Sequence, residues 1–305
     1  MKNFILNIIL FFVFSVLFYM TVLFVWGLYL PTILKPNLNY KIGSTGHLFT
    51  RLAEAKKVSD VDVLFLGSSH AYRNFDTRIY SEIGLTSFNL GSSGQTHIQT
   101  NVLMRRYLER MNPKLVIYEV YPETFNLDGV ESSLDVIAND KNDSRSVNMA
   151  LQINNIKTYN TLLYGIMLDF LNINNGFKEP IEKGVDKYIP GGFVERRINY
   201  FTPVVFNDKD IKFNKEQTEA FTDNLSFLKS KKIKVILVYA PIPPSNYESY
   251  SSNKYYDNIM ANFAKYYNFN ELMELNDSLY FMDSDHLNQK GVELFNLKLI
   301  EVLNL

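Results

Sequence analysis

The ten residues 61–70 read VDVLFLGSSH, a mainly apolar run followed at once by glycine and two serines. A short apolar run that ends in a turn signal is typical of a buried strand. Three more such runs follow along the chain, at 86–90 (TSFNL), 114–120 (KLVIYEV) and 232–239 (KIKVILVY). Helical patterns separate them, and strands that alternate with helices predict an α/β fold around a parallel sheet.

Shorter segments complete the predicted sheet and its cover. Residues 279–282 (LYFM) are predicted as a short fifth strand, and residues 289–303 as a closing helix. Another helix is predicted over 96–110, because its apolar side chains recur on one face. Residues 126–210, rich in Asn, Asp and Lys, are predicted as an insertion with one helix near 161–172. Insertions of this length often serve as lids or partner surfaces.

Residues 5–30 contain no charged side chain. As a helix they are roughly 39 Å long at about 1.5 Å per residue, more than the ~30 Å hydrocarbon core of a bilayer. Trp26 and Tyr29 lie near the far end, where such rings prefer the membrane interface. A cleaved signal peptide is the alternative, but its apolar region spans about 7–15 residues and ends at an A-x-A-like site, which is lacking here. We therefore predict a retained anchor.

The chain is accordingly divided into three parts. Residues 1–31 are the predicted membrane anchor, residues 32–58 a mostly polar connector, and residues 59–305 one globular domain that contains the insertion. The Lys and Arg residues that flank the anchor do not decide its orientation, because both sides carry some.

The overall composition excludes several classes of site. With 31 basic and 32 acidic residues the net charge is −1, so no global field favours nucleic acid. The chain has no cysteine, which excludes disulfides, thiolate zinc sites and a cysteine nucleophile. Its four histidines are scattered and lack metal-ligand spacing. We predict no metal, no cofactor and no nucleic-acid partner.

Ligands of open α/β sheets bind beyond the carboxyl ends of the strands, and polar residues follow the predicted strands there. The segments concerned are Gly67-Ser68-Ser69-His70, Gly91-Ser92-Ser93-Gly94, Tyr121-Pro122-Glu123 and Asp283-Ser284-Asp285-His286. A serine hydroxyl attacks once a neighbouring base takes its proton. His286 is the candidate base, Asp283 could orient its ring, and backbone N–H groups at a glycine turn could stabilise an oxyanion. This set of groups suits acyl transfer through an acyl-serine.

Simpler interpretations remain for each of these residues. Ser69 could be a turn residue, and Ser68 is the neighbouring candidate nucleophile. Asp283 and Asp285 could both cap the following helix, and Asp285 is expected to be structural or solvated. Arg73 could bind an anionic group, or it could be a surface or salt-bridged arginine.

Three short motifs in this order resemble blocks I, II and V of the SGNH (GDSL-type) hydrolases: Gly67-Ser68-Ser69, Asn89-x-Gly91-x-Ser93-Gly94-x-Thr96 and Asp283-x-x-His286-Leu-Asn288-x-x-Gly291. The resemblance covers roughly residues 59–125 and 230–305. It implies a flavodoxin-like three-layer sandwich with a parallel five-stranded sheet. It also implies that Ser69 is the nucleophile, that Asp283 and His286 complete the triad, and that the Ser69 and Gly94 amides form the oxyanion hole.

The block after the third strand departs from the family pattern. The family has Gly-x-Asn-Asp there, and its Asn donates to the oxyanion, whereas this chain has Tyr121-Pro122-Glu123-Thr124. An ionised carboxylate accepts hydrogen bonds and donates none. Either the oxyanion hole uses only the Ser69 and Gly94 amides, or Glu123 points elsewhere.

The single anchor, the Gly-Ser-Ser start and the lost Asn-Asp block resemble a membrane-anchored subgroup. It includes DltD-like proteins of teichoic-acid D-alanylation and anchored partners of polysaccharide O-acetylation. The resemblance implies a cytoplasmic N terminus and an extracytoplasmic domain in the cytoplasmic membrane. It implies a serine esterase or O-acyltransferase acting on acyl esters of a cell-envelope glycan, beside a multi-spanning membrane acyltransferase. The alternative is a non-catalytic scaffold or acceptor-binding subunit of such a complex.

Overall fold

The computed structural model describes residues 1–305. The helices and strands alternate along most of the chain. The helices are α1 (Lys2–Tyr29), α2 (Leu48–Ala55), α3 (Ser69–Asn74), α4 (Thr77–Glu82), α5 (His97–Met111), α6 (Val130–Asn139), α7 (Ser144–Ile153), α8 (Ile156–Phe170), α9 (Lys215–Ser230), α10 (Pro244–Glu248), α11 (Asn253–Phe263), α12 (Phe269–Leu272), α13 (Asp277–Tyr280) and α14 (Gln289–Leu303). The strands are β1 (Val63–Leu66), β2 (Ser87–Asn89), β3 (Leu115–Glu119), β4 (Glu182–Lys183), β5 (Asp186–Ile189), β6 (Phe193–Arg196), β7 (Lys234–Tyr239) and β8 (Lys265–Asn268).

The central sheet has five strands in the order β2-β1-β3-β7-β8, and every neighbouring pair is parallel. Counted along the chain this is the order 2-1-3-4-5 of flavodoxin-like sheets. Helices cover both faces of the sheet. Alternate residues of a strand therefore pack into two separate cores, one on each face. Leu64 and Leu66 belong to the core beneath α5 and α9, whereas Val63 and Phe65 belong to the core beneath α14. The predicted α/β class and three-layer arrangement are confirmed.

The predicted fifth strand at 279–282 is wrong. Its first part lies in α13, which Asn276 caps by accepting from the Ser278 N–H, and Phe281 forms only an isolated antiparallel bridge with Leu287. The edge position beside β7 is taken by β8, whose sequence KYYN is tyrosine-rich rather than aliphatic. Tyr266 and Tyr267 form a strand because they pair with β7, and the hydropathy of this segment does not predict that pairing.

The segment 126–210 contains more regular structure than the single helix expected there. Helices α6, α7 and α8 occupy its first half, and the observed α8 begins five residues before the expected start at 161. Strands β4, β5 and β6 form a small antiparallel sheet in its second half. This sheet reaches the central domain, because the Asn89 N–H donates to the Gly191 carbonyl at 2.8 Å.

Helix α1 is long and apolar enough to cross a membrane, and it lies at the N terminus. Its last third packs on α8. The Tyr19 hydroxyl donates to the Asn160 side chain at 2.5 Å, and Leu23 clusters with Tyr164 and Leu168. Gly27 allows the closest approach, because an added Cβ there would lie 2.2 Å from the Tyr164 ring.

Burial in the strand core predicts that the same Leu→Ala substitution changes the free energy of unfolding by different amounts at two positions. Leu64 is fully buried in β1, whereas Leu297 on α14 is 53% exposed. We expect Leu64→Ala to lower the free energy of unfolding by about 2–5 kcal/mol, since it leaves a cavity, and Leu297→Ala by no more than about 0.5 kcal/mol. Thermal denaturation of the full chain in detergent measures both. Equal losses of stability would contradict the core assignment.

Candidate active site

Ser69 is the first residue of α3, directly after β1 and the tight turn at Gly67. Gly67 has φ +145°, and a Cβ there would lie 2.6 Å from an oxygen of Glu119. That Glu119 oxygen accepts hydrogen bonds from the Ser68 N–H and hydroxyl, both at 3.0 Å. The Ser68 oxygen also accepts from the His70 N–H, so Ser68 serves as the helix cap and the anchor point of the turn. Ser69 is left free to face the opposite loop.

The opposite loop runs from Phe281 to Leu287 and presents His286. It is closed at its base by the Phe281–Leu287 bridge and by a hydrogen bond from the Met282 N–H to the His286 carbonyl at 3.0 Å. Asp283 tightens its tip, because one carboxylate oxygen accepts from the backbone N–H groups of Asp285 and His286. The same oxygen lies 3.0 Å from the His286 Nδ1. Asp283 therefore shapes the turn and orients the ring together.

The structure brings the three predicted side chains into one hydrogen-bonded chain. The Ser69 Oγ lies 2.8 Å from the His286 Nε2, and the two Asp283 oxygens lie 3.0 and 3.2 Å from the His286 Nδ1. This is the order of nucleophile, base and orienting carboxylate that serine acyl transfer requires. Ser69, rather than Ser68, faces the imidazole.

Asp285 also contacts the imidazole, which the sequence interpretation missed. One of its oxygens lies 2.8 Å from the His286 Nδ1, and the other lies 3.8 Å from the His70 Nε2. Only the Asp283 contacts meet hydrogen-bond geometry, so Asp285 acts on the ring mainly through its charge. The sequence gives no signal for this beyond the spacing Asp283-x-Asp285-His286.

Two carboxylates around one imidazole change the proton affinity of the site. Burial disfavours the charged ring of His286, but Asp283 and Asp285 more than offset this and raise its pKa to about 10. Burial likewise opposes ionisation of Asp285, yet the His286 and His70 imidazoles lower its pKa far below the ordinary range. His286 therefore holds a proton strongly and acts as a base only after releasing it.

His70 supports the back of the His286 ring. The two rings stack with their centroids 4.8 Å apart and an angle of 18° between their planes. The centroid of the Tyr121 ring lies 4.2 Å from that of His70. Beneath them lies Glu119, whose pKa is raised by burial although the charge of His70 opposes this. His70 is 2% exposed, so it packs against the base rather than facing the substrate side.

Gly94 lies in the loop between β2 and α5, at an exposed bend with φ +56°. This loop is fastened to the Ser69 helix through Asn89, whose side chain accepts from the Gly91 N–H at 2.9 Å and donates to the Ala71 carbonyl at 2.7 Å. The Ser93 hydroxyl adds a 2.8 Å hydrogen bond to Tyr72. The oxyanion role of the Ser69 and Gly94 amides stays a prediction.

Glu123 is engaged away from the imidazole. Its carboxylate accepts from the Tyr250 hydroxyl at 2.7 Å and lies 3.7 Å from the Lys209 ammonium. Of the two alternatives for this departure from the family pattern, the structure fits the second, in which Glu123 points elsewhere. It supplies no donor to an oxyanion.

Arg73, considered from the sequence, and His97 both have structural contacts. Arg73 makes two hydrogen bonds to the Asp186 carboxylate, at 3.2 and 2.9 Å, and so ties α3 to β5. His97 is buried against Tyr118, and burial lowers its pKa to about 3.

The side chains of His70, Asp285 and His286 bring potential metal-binding atoms within 4.8 Å of one another. A bound cation would compete with the hydrogen-bonded chain for the same imidazole.

No family model matches this chain, and no curated protein matches it. Solved structures with a related course of the chain include a GDSL-like lipase from Bacteroides thetaiotaomicron, with 12% identity, a TM-score of 0.43, and coverage of 85% of this chain and 98% of that one. A protein from Bacteroides fragilis that is proposed to be an acylhydrolase has 13% identity and a TM-score of 0.39. The match covers 85% of this chain and 96% of that one. At these values the likeness carries no argument about activity, which rests on the site geometry.

The charges around His286 predict the pH dependence of any activity that uses it as a base. Because the raised pKa keeps the ring protonated at neutral pH, we expect kcat/KM on an activated ester to rise with pH on the alkaline side. Asp285→Asn removes one negative charge that stabilises the imidazolium and so lowers the His286 pKa. The acid limb of the profile, which is the part where kcat/KM rises with pH, should therefore move to lower pH by about one unit or more.

The matched control is Asp223→Asn, since Asp223 is 56% exposed and pairs with Arg105 on a surface. It should leave the profile unchanged. An acid limb that stays in place in Asp285→Asn would show that the charge of Asp285 does not act on the base.

Proposed function

We propose that this protein is a membrane-anchored serine esterase or O-acyltransferase that acts on acyl esters of a cell-envelope glycan. The observation that carries the catalytic part is the 2.8 Å contact between the Ser69 Oγ and the His286 Nε2, with Asp283 on the far side of the ring. Two segments that lie 217 residues apart in the sequence adopt this order, with Ser69 on a capped turn and the Asp283–His286 pair on a bridged loop.

The geometry supports the following steps. The Ser69 oxygen attacks the acyl carbonyl while His286 takes its proton, and the Ser69 and Gly94 amides receive the developing oxyanion. Collapse breaks the ester bond, and the departing alcohol leaves with the proton from His286. Water or a sugar hydroxyl then gives its proton to His286 and attacks the acyl-serine, which releases an acid or a new ester. The acceptor alone distinguishes the hydrolase from the transferase.

Two features support a large, surface-bound substrate. The site is open, since Asp283 is 39% exposed and Ser69 is partly exposed, so an acyl group on a polymer could approach without entering a closed cavity. Helix α1 supports a place at a membrane, because its contacts with Asn160 and Tyr164 use specific groups that a discarded leader would not need. Together with the family resemblance, these features support a domain outside the cytoplasmic membrane, beside a multi-spanning acyltransferase.

The alternative is a non-catalytic scaffold or acceptor-binding subunit of such a complex. The observation that favours it is Glu123, which stands where the family has an oxyanion donor and is bound instead to Tyr250. Loss of one donor typically costs about 10²–10³ in rate, so the esterase would be slow without being excluded.

The two serines of the turn give a sharp test. We expect Ser69→Ala to abolish turnover of p-nitrophenyl acetate by the full chain in detergent, a loss of about 10³-fold or more, and to abolish labelling by a fluorophosphonate. Ser68→Ala removes a helix cap and should cost about 1 kcal/mol of stability while it retains labelling. Equal turnover in Ser69→Ala and the unchanged protein would favour the scaffold.

An acetylated glycan then separates the two enzymatic outcomes. Incubation of the acetylated glycan, as acetyl donor, with an unacetylated acceptor glycan should yield free acetate if water is the acceptor and newly acetylated acceptor if a sugar hydroxyl is. Ser69→Ala provides the background for both products.

A further inference from the structure

Helix α8 carries apolar side chains on its exposed side as well as on its buried side. Its buried side includes Leu162 and Leu168, yet Ile156 is 53%, Ile166 36% and Phe170 83% exposed. A helix on the surface of a soluble domain normally turns its apolar side inward and exposes polar residues. The outer side of α8 departs from this pattern.

The apolar residues on the outer side of α8 form one stripe. Ile156, Tyr159, Leu163, Ile166 and Phe170 recur at intervals of three and four, which places them on one side of a helix with 3.6 residues per turn. Ile156, Ile166 and Phe170 are its exposed members, whereas Tyr159 and Leu163 are partly buried against neighbouring hydrophobic clusters. No position of this stripe carries a charge, and exposed Leu171 and Ile173 extend it past the end of α8. Such a stripe on an exposed helix calls for an apolar environment.

The anchor helix lies along one edge of this stripe. Leu163 of the stripe and the neighbouring Met167 pack in the cluster that contains Leu23 and Phe24 of α1. The exposed Ile166 lies three residues from Leu163, on the same side of α8. Whatever surrounds α1 at this level therefore also reaches α8.

The length of α1 places that level at the membrane interface. Its 28 residues extend about 42 Å, which exceeds the ~30 Å hydrocarbon core by about 12 Å, or roughly eight residues. Lys2 and the terminal amine keep the first turn outside the hydrocarbon core. The other half of the excess, about four residues, then falls at the far end of the helix, from Trp26 onward. The contacts of α1 with α8 begin at Tyr19 and reach this level at Gly27.

Aromatic residues mark the same level. Trp26 is 44% and Tyr29 80% exposed, and both ring types favour the boundary between acyl chains and headgroups. Amphipathic helices that lie in this boundary bury their apolar side about 5–10 Å into it. The stripe on α8 has the composition and the position for this.

We propose that the apolar stripe of α8 is embedded in the lipid interface of the bilayer that holds α1. The inference rests on the proposed membrane anchor and deepens it. The insertion then gives the domain a second membrane contact, which fixes its tilt and the height of Ser69 above the lipid instead of leaving the domain on a flexible tether. The occupant is lipid rather than a partner protein, because the stripe adjoins the one helix that requires a bilayer around it.

The absence of cysteine allows single labels to test this in the full chain. Phe170→Cys, Val13→Cys in the anchor and Leu297→Cys on α14 would each carry an environment-sensitive fluorophore. Leu297 is the matched control, an exposed helical residue on the α14 side of the sheet. The chains are placed in nanodiscs of phosphatidylcholine and phosphatidylglycerol that contain doxyl-labelled lipid. Equal fluorophosphonate labelling would show that all three variants are folded alike.

We expect doxyl lipid to quench the label at position 170 about twofold or more, with the shallow quencher more effective than the deep one. The label at 13 should respond most to the deep quencher, and the label at 297 to neither. Quenching at 13 with none at 170 overturns the proposal while the anchor stands. No quenching at 13 overturns the anchor itself. A label at 170 that is shielded in native membranes but water-exposed in nanodiscs assigns the stripe to a partner protein and also overturns the proposal.

Discussion

The candidate site depends on one hydrogen bond, between the Ser69 Oγ and the His286 Nε2 at 2.8 Å. Each partner is carried by a segment that could not place it alone. The serine turn needs Gly67, because any Cβ there meets the Glu119 carboxylate. The histidine loop needs the bridge at Leu287 and the two backbone hydrogen bonds to Asp283. The parallel sheet brings these two segments to the same edge.

Carboxylates hold each side of this arrangement in a different way. Glu119 lies beneath the serine turn and binds Ser68, and burial raises its pKa. Asp283 and Asp285 surround the imidazole and stabilise its charged form. These charges keep the imidazole protonated at neutral pH. They would also stabilise the imidazolium that forms when the serine attacks. His70 fills the space between the two groups and stacks on the base.

The segment 126–210 connects the site with the anchor. Its small sheet holds α3 through the pair of Arg73 and Asp186 and holds β2 through Gly191. Its helix α8 packs on α1 through Tyr164. Any constraint on α8 therefore reaches the serine helix through packed elements rather than through a flexible linker.

Several features of this protein follow from the sequence by itself. Four of the five central strands, the closing helix over 289–303 and the apolar N-terminal helix could be predicted, because each has strong local hydropathy or periodicity. Turn signals at predicted strand ends point to the serine pair 68–69, Asp283 and His286, and the resemblance to SGNH hydrolases selects Ser69 from the pair. The structure brings Ser69, Asp283 and His286 together.

The rest was decided by tertiary structure, because it depends on contacts between distant segments. The sheet edge went to the polar KYYN of β8 rather than the apolar 279–282, since pairing with β7 outweighs hydropathy. Asp285 and His70 reach His286 only after the loop closes, and Glu123 turns to Tyr250 from another part of the chain. The apolar stripe of α8 has an ordinary helical pattern in sequence. Only the fold shows that part of it faces outward, because a different set of residues, among them Leu162, Tyr164 and Leu168, fills the buried side of α8.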